Sequence, residues 1–377
     1  MKINTKLLHD YPMIDPVTGA SSIPKYQAST FHQQDVFTHT GFSYTRFGNP
    51  TVEAAEKCIA SLEDATFGLA FSSGMAAINA VLFLLSKGDH LVLGKNIYGG
   101  TFHSIHLFLS RFGIDCTFVD ETDNDSWEKA IKKETKMFYI ETPSNPLLTI
   151  TDIRKVAETA RKHGILTVSD NTFMSPLSQH PLSLGVDIVI HSATKFINGH
   201  SDVVAGLVAT NQEAIYKKLK EHQIALGGIL GPEDAWLLLR GVKTMGLRME
   251  KSIKNASKIA TFLSEHTKVK KVYYPGLAQH PGYQVHHQQC ENSGAILSFA
   301  LETVDQIQSL FTNCRLPIVA VSLGGVESIL SYPWAMSHAS MPEEERLKMG
   351  VTETLVRLSC GIEDEEDLLN DLTRALG

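Results

Sequence analysis

The chain has 377 residues, 43% of them apolar and 20% charged, so at roughly 100–200 residues per domain two domains are expected, or one large domain with an appendage. A chain of this length buries about three-quarters of its unfolded surface and needs neither disulfide nor metal to fold. Lysine plus arginine number 34 against 41 aspartate plus glutamate, a net charge of −7, which leaves no basic excess for a phosphate backbone and disfavours nucleic acid as a partner.

The first ten residues contain no apolar run of the signal-peptide kind, which sets a cytoplasmic expectation. Residues 1–50 are rich in Ser, Thr, Gln, Pro and aromatics, show weak periodicity, and read as an arm rather than a core layer. From residue 51 helical periods alternate with short, uniformly apolar runs. Strands are expected at Phe67–Phe71, His90–Leu93, Cys116–Val119, Met137–Glu141, Ile165–Asp170, Val186–His191 and Val203–Ala209, with helices such as Ser126–Glu134 and Asp152–His163 between them. Apolar strands with intervening helices imply an α/β domain whose mostly parallel sheet is covered on both faces. The most apolar stretch, Ala76–Leu85, is interrupted by Asn79 and too short to span a bilayer.

A long helix is expected over Asp234–Glu265. Beyond it, strand-like runs at Val269–Tyr274, Gly294–Ala300, Ile318–Val321 and Leu355–Ser359 alternate with helices at Val304–Thr312 and Glu365–Leu376, the pattern of a smaller α+β domain. The organisation expected is therefore an arm over 1–50, a ligand-binding domain over 51–245 and a C-terminal domain over 246–377. The five cysteines are scattered and form no Cys-x-x-Cys, which suits a reduced compartment with the thiols as small core residues.

In open α/β sheets ligands gather beyond the carboxyl ends of the strands. Those ends carry Ser72-Ser73-Gly74-Met75, Tyr98-Gly99-Gly100, Glu141-Thr142-Pro143-Ser144-Asn145-Pro146, Asp170-Asn171-Thr172 and Ser192-Ala193-Thr194-Lys195. Small residues between the first strand and the helix at Gly74 leave backbone N–H groups free for an anion, although a plain N-cap explains that segment equally well. Lys195 follows a strand buried on both faces; a lysine rooted there has a lowered pKa and forms Schiff bases with carbonyls, whereas most lysines in such loops are solvated. Asp170 at a neighbouring strand end tilts the balance. A lysine, an acid for a pyridine nitrogen and an anion site are what a pyridoxal phosphate enzyme requires.

The segment Ser192-Ala193-Thr194-Lys195-Phe196-Ile197-Asn198-Gly199-His200-Ser201-Asp202-Val203-Val204 resembles the lysine signature of the Cys/Met-metabolism pyridoxal phosphate enzymes, the cystathionine lyases and synthases and their relatives. Further blocks match in order along essentially the whole chain: Tyr44-Thr45-Arg46 with Gly48-Asn49-Pro50-Thr51, Ser73-Gly74-Met75, Tyr98-Gly99-Gly100-Thr101, Glu141 to Pro146, Asp170-Asn171-Thr172-Phe173, Ser322-Leu323-Gly324-Gly325, and Leu355-Val356-Arg357-Leu358-Ser359 with Gly361-Ile362-Glu363. The resemblance implies an aspartate-aminotransferase-like fold (fold type I) and a pyridoxal 5'-phosphate cofactor.

It also implies roles. Lys195 would hold the cofactor and then move the substrate Cα proton, Asp170 with Thr172 would meet the ring nitrogen, and Tyr98 would stack on the ring. Gly74, Met75, Ser192 and Thr194 would bind the phosphate of their own subunit, and Tyr44 and Arg46 that of a neighbour. An obligate dimer paired into a homotetramer, a dimer of dimers, is implied by the last of these. Arg357 would fork onto the substrate α-carboxylate, with Asn145, Ser322 and Leu323 beside it, and Glu327 would lie at the distal substrate end.

The sequence departs from the family pattern at Phe47, Val52 and His103, none of them an expected catalytic position. Methionine γ-lyases carry a cysteine where Gly100 stands, which argues against that subgroup. The reading adopted is cleavage of L-cystathionine with β-elimination ahead of γ-elimination and then of γ-synthase chemistry. Rivals of other classes fare worse. Sixteen histidines invite a metal site, yet His191 and His200 have no partner at ligand spacing, and His286 with His287 would point apart on a strand. No Gly-x-Gly-x-x-Gly comes after a strand, and a non-catalytic assembly protein would not need both Lys195 and Asp170.

Overall fold

The computed structural model describes residues 1–38, 41–339 and 341–377. Helices α1 (Ile3–His9) and α2 (Pro50–Leu62) precede a seven-stranded sheet made of β1 (Phe67–Phe71), β2 (His90–Gly94), β3 (Asp115–Val119), β4 (Thr135–Glu141), β5 (Leu166–Asp170), β6 (Ile188–Ser192) and β7 (Gly206–Thr210). The spatial order is β1-β7-β6-β5-β4-β2-β3. Strands β6, β5, β4, β2 and β3 are mutually parallel, and β7 runs antiparallel to both β6 and β1.

Connections are helical: α3 (Gly74–Leu82) after β1, α4 (Gly99–Ser104) with a π-helical turn at Ile105–Leu109 after β2, α5 (Asn124–Lys129) after β3 and α6 (Ile153–Lys162) after β4. Their starts are encoded locally. Asn49 caps α2, whose first residue is Pro50, and Ser73 caps α3 by accepting from the Ala76 N–H. Because side chains alternate along a strand, the sheet feeds two cores. Val168, Ile188, Ile190 and Val208 pack with Ala77, Ile78 and Val81 of α3. Ala70, Leu207 and Ala209 pack with Ala54, Ala55 and Ile59 of α2 on the other face.

Helices α7 (Glu213–Leu226), α8 (Pro232–Val242) and α9 (Met245–Glu265) lead to a five-stranded sheet of β8 (Val269–Tyr273), β9 (Ile296–Leu301), β10 (Ile318–Val319), β11 (Ile329–Ser331) and β12 (Leu355–Ser359), ordered β10-β11-β12-β9-β8. It is accompanied by α10 (Tyr283–Gln289), α11 (Val304–Asn313), α12 (Glu343–Lys348) and α13 (Glu365–Leu376). Leu297, Phe299, Val356 and Leu358 pack with Ile259 and Leu263 of α9 and Leu368 and Leu372 of α13. Alternation then turns Arg357, between Val356 and Leu358, toward the other side of this sheet.

Three local expectations need correction, and one strand carries no sequence signal. The N-terminal stretch is not all arm: α1 packs on α2 and α9, burying Leu7 and Tyr11 in the core, but one short helix is too brief to show a period. The helix expected over Asp234–Glu265 is two helices, interrupted around Thr244. The break lets the Arg248 guanidinium donate to the carbonyls of Phe196, Ile197 and Gly241, at 2.8, 3.2 and 2.9 Å, and so brace the segment after Lys195. His286 and His287 lie on α10 rather than a strand, and His286 is buried against the Asn292 carbonyl. Strand β11 went unpredicted because three residues carry no periodicity.

Candidate active site

A cavity of about 630 Å³ lies at the carboxyl ends of the parallel strands, walled on its far side by the five-stranded sheet, a volume suited to a small organic ligand. Of the residues singled out from sequence, it gathers Gly74, Met75, Tyr98, Asn145, Asp170, Thr172, Ser192, Thr194, Lys195, Ser322, Leu323 and Arg357 in its lining.

Lys195 comes shortly after β6, so its stem starts in the interior. Burial, helped by the nearby Arg357 charge, pulls its amine down to about 8. Its Nζ donates to the Ser322 hydroxyl at 2.7 Å. Ser322 reaches that position with φ +85°, a left-handed backbone that a non-glycine residue adopts at a cost and that is characteristic of functional sites. The same residue's carbonyl accepts from Arg357 Nη2 at 2.6 Å, so one strained turn positions two cations.

Asp170 ends β5 and pairs in register with Glu141 at the end of β4. Both are buried, and burial together with their mutual repulsion pushes Glu141 well above the usual carboxylate range; burial also raises Asp170. Asp170 accepts from the Thr172 N–H at 3.0 Å and from the Tyr139 hydroxyl at 3.3 Å, both neutral donors. Glu141 accepts from the Tyr98 N–H at 2.7 Å and thereby fixes the turn that carries the Tyr98 ring. Burial and the two carboxylates raise the Tyr98 phenol, so the ring stays neutral.

The α3 N-terminus packs closely on the end of β6. A Cβ at Gly74 would lie 2.9 Å from the Ser192 Cβ, so glycine is required for the helix N–H groups to open on the cavity beside the Ser192 and Thr194 hydroxyls. A Cβ at Gly100 would lie 2.4 Å from the Tyr98 ring, which gives the absence of a side chain there a steric reason. Arg357 is buried, and desolvation lowers it to about 10. Its Nη1 donates to Asn145 Oδ1 at 2.8 Å and Nη2 also to Ser331 Oγ at 3.2 Å, while Nε has no partner among the described residues. Both Nη groups are engaged and Nε alone lacks a partner, so the buried cation beside the cavity keeps donor capacity and uncompensated charge with which to attract a carboxylate.

Three residues singled out from sequence are not brought to the cavity. Tyr44 is 42% exposed. The Arg46 guanidinium lies over the Tyr44 and Phe47 rings and donates to the Ile224 carbonyl. Glu327 is exposed, although its neighbours Ser322 and Leu323 line the cavity. Sequence reasoning passed over Glu141, Tyr139 and Ser337 as site residues; Glu141 sat inside a quoted motif, but its bond to Tyr98 depends on strand register and had no linear signal. Among the described residues no group of His, Cys, Asp or Glu side chains is placed to hold a metal ion, and no helix is long and apolar enough to cross a membrane. The five cysteines are free, and burial pushes the Cys58, Cys290 and Cys360 thiols up, away from reactivity.

Known proteins resemble this chain along its whole length. The profile of the Cys/Met metabolism PLP-dependent enzymes matches residues 4–377. The chain is 52% identical to the cystathionine beta-lyase MetC of Bacillus subtilis over 99% of its length and 96% of that protein. It is 49% identical to the cystathionine gamma-lyase of the same organism, over 100% of this chain and 99% of the relative. Among solved structures it superposes with a TM-score of 0.98 and 46% identity on a cystathionine gamma-lyase from Lactobacillus plantarum complexed with L-serine, covering 100% of this chain and 98% of that one.

Proposed function

We propose that this chain, which belongs to the Cys/Met metabolism PLP-dependent enzymes, cleaves L-cystathionine by β-elimination to homocysteine, pyruvate and ammonia. The observation that carries the proposal is the meeting of Lys195, Asp170 and Arg357 in one cavity. The family uses pyridoxal phosphate, and the residues fit it: a desolvated amine, a buried carboxylate with only neutral donors, and a helix N-terminus that a Cβ would fill. When bound, the cofactor supplies an electron sink for the charge left on the substrate Cα.

In this reading Lys195 anchors the cofactor and then, as a free amine, takes the Cα proton; a value lowered to about 8 leaves an appreciable unprotonated fraction near neutral pH. Asp170, oriented by Thr172, keeps the ring nitrogen protonated. Tyr98 covers the ring face. Gly74, Met75, Ser192 and Thr194 hold the phosphate. Arg357, with Asn145 and the Ser322–Leu323 turn, holds the α-carboxylate and so points the Cα proton at Lys195 Nζ. Glu327, exposed beyond the Ser322–Leu323 turn, is proposed to meet the distal end of the substrate.

The exposure of Tyr44 and the position of Arg46 outside the cavity support an arm that serves a neighbouring subunit, hence a dimer, paired into a homotetramer. In the same reading the chain divides into an N-terminal segment over 1–50 that serves as an arm beyond the core-packed α1, a cofactor domain over 51–245 and a C-terminal domain over 246–377, and works in the cytoplasm. A second reading, γ-elimination to cysteine, 2-oxobutyrate and ammonia, is favoured by the 49% and 46% identical relatives named for it. The test is to identify the 2-oxo acid released from cystathionine by the purified holoenzyme. Pyruvate is expected; predominant 2-oxobutyrate reverses the order, and neither acid rejects both.

A further inference from the structure

The turn between β11 and α12 brings to the cavity a hydroxyl that the chemistry above leaves unused. Ser337 is half-buried in the cavity lining, and its Oγ lies 2.9 Å from Nδ1 of the next residue, His338. The turn is held at several points. The His338 N–H donates to the Pro333 carbonyl at 3.1 Å, and the His338 carbonyl accepts from the Met341 N–H at 3.0 Å. Arg346 of α12 donates to the Trp334 carbonyl at 2.6 Å, with its guanidinium 3.8 Å from the centre of the Trp334 ring. A Cβ at Gly99 would lie 3.0 Å from the Ser337 carbonyl oxygen, so the turn also abuts the one that carries Tyr98.

His338 is completely buried, and burial, with the Arg357 and Arg346 charges nearby, pulls its imidazole down to about 4. Near neutral pH the ring is therefore uncharged and carries a single proton on one of its two nitrogens. Nε2 is buried with no partner among the described residues. Orphaned buried N–H groups are rarer than under-used acceptors, so the proton belongs on Nδ1, from which it is donated to Ser337 Oγ. This fixes the sense of the serine. Its oxygen already accepts from the wall, and His338 is its only side-chain partner among the described residues. The Ser337 proton is left to the cavity, where the hydroxyl acts as a donor.

We propose that Ser337 is a substrate-binding residue that donates its hydroxyl to a carboxylate of the bound amino acid, and that His338 is the positioning residue that holds it in that sense. The proposal rests on the reading that this cavity binds L-cystathionine with Arg357 on the α-carboxylate. Cystathionine carries two ammonium groups, which offer no lone pair, and a thioether sulfur, which is a weak acceptor. Its carboxylates, one at each end, are the strong acceptors for a hydroxyl so held.

The test uses the holoenzyme as wild type, Ser337→Ala, Ser337→Thr, His338→Leu, the Ser337→Ala/His338→Leu double variant and Arg357→Lys. It measures KM and kcat for L-cystathionine, and the half-saturating concentration of L-alanine from the change in visible absorbance; L-alanine has one carboxylate and no leaving group. Ser337→Ala should raise the cystathionine KM about 10-fold with a smaller fall in kcat, the effect of one hydrogen bond to a charged group, while Ser337→Thr stays within about 3-fold of wild type. A matching loss for L-alanine assigns the contact to the α-carboxylate, and an unchanged L-alanine value assigns it to the distal one. An unchanged cystathionine KM in Ser337→Ala, or weaker retention of pyridoxal phosphate in place of weaker substrate binding, overturns the proposal. His338→Leu should raise KM less than Ser337→Ala and add nothing in the double variant; equal losses in both backgrounds make His338 a packing residue and overturn its positioning role. Should His338→Leu fail to fold, a 15N spectrum of histidine-labelled wild-type holoenzyme decides, with the His338 signals identified by their loss in His338→Asn. A protonated Nδ1 and a bare Nε2 are expected, and the reverse overturns the proposal. Unchanged L-alanine affinity in Arg357→Lys overturns instead the placement of Arg357.

Discussion

Lys195, Asp170 and Gly74 enter the cavity from the ends of strands in the seven-stranded sheet or just beyond them, whereas Arg357 enters it from the middle of β12 in the five-stranded sheet. The first arrangement leaves the sheet undisturbed, because the loops beyond a strand are free to vary without breaking its ladder. The second plants a guanidinium inside a paired, buried strand. It is tolerated because Asn145, Ser322 and Ser331, from separate segments, satisfy it. In the proposed roles, cofactor chemistry is assembled from one sheet, and substrate recognition from contacts that need both sheets in place.

The largest effect expected on this contrast is at the strand-end lysine. Lys195→Met should lower lyase turnover by about 10⁴-fold or more, measured by 2-oxo acid release. In the cofactor-free protein the same change should stabilise. Between the folded value of about 8 and the ordinary 10.5 the unfolded chain binds more protons at this lysine, so wild-type stability rises with pH through that window. Below it the burial penalty is complete, and Lys195→Met should gain about 1–3 kcal/mol at neutral pH, visible as a higher denaturant midpoint. A loss of stability would contradict the desolvation argument.

Next comes the mid-strand arginine. Arg357→Lys keeps the charge but loses the planar fork, so KM for cystathionine should rise by about 100-fold with a smaller fall in kcat. A change confined to kcat would place Arg357 in the chemistry rather than in carboxylate binding. The smallest effect belongs to Glu327, exposed beyond the same strained turn. Glu327→Gln should raise KM about 2–5-fold, as expected of a solvated charge, and leave folding stability within about 0.5 kcal/mol; kinetics and a melting curve decide both.

Legibility in the sequence shows the same divide. Strands β1 to β7 announced themselves as apolar runs, and the groups at their ends stood out as the polar residues immediately C-terminal to each run. Arg357 stood within an apolar strand, where only its resemblance to a family block marked it. Glu141 carried no linear signal as a site residue, since its bond to Tyr98 and its place beside Asp170 depend on strand register. The break at Thr244 was hidden for a related reason: both halves share one helical pattern, and the interruption serves Arg248, whose carbonyl acceptors lie mostly in a distant segment.

The linear sequence determined the class of this protein, through the polar residues at its strand ends together with the family blocks they resemble. A lysine, an acid and a capped helix start at successive strand ends suit an anion-bearing carbonyl cofactor, because parallel strands present them on one side, and the resemblance to the family selects that reading. Tertiary structure alone decided the charges. Whether Lys195 is a base near neutral pH, whether Asp170 is ionised, and what Arg357 has left to offer depend on burial and on neighbours remote in the chain. Electrostatic interactions act through space, and only the fold sets those distances.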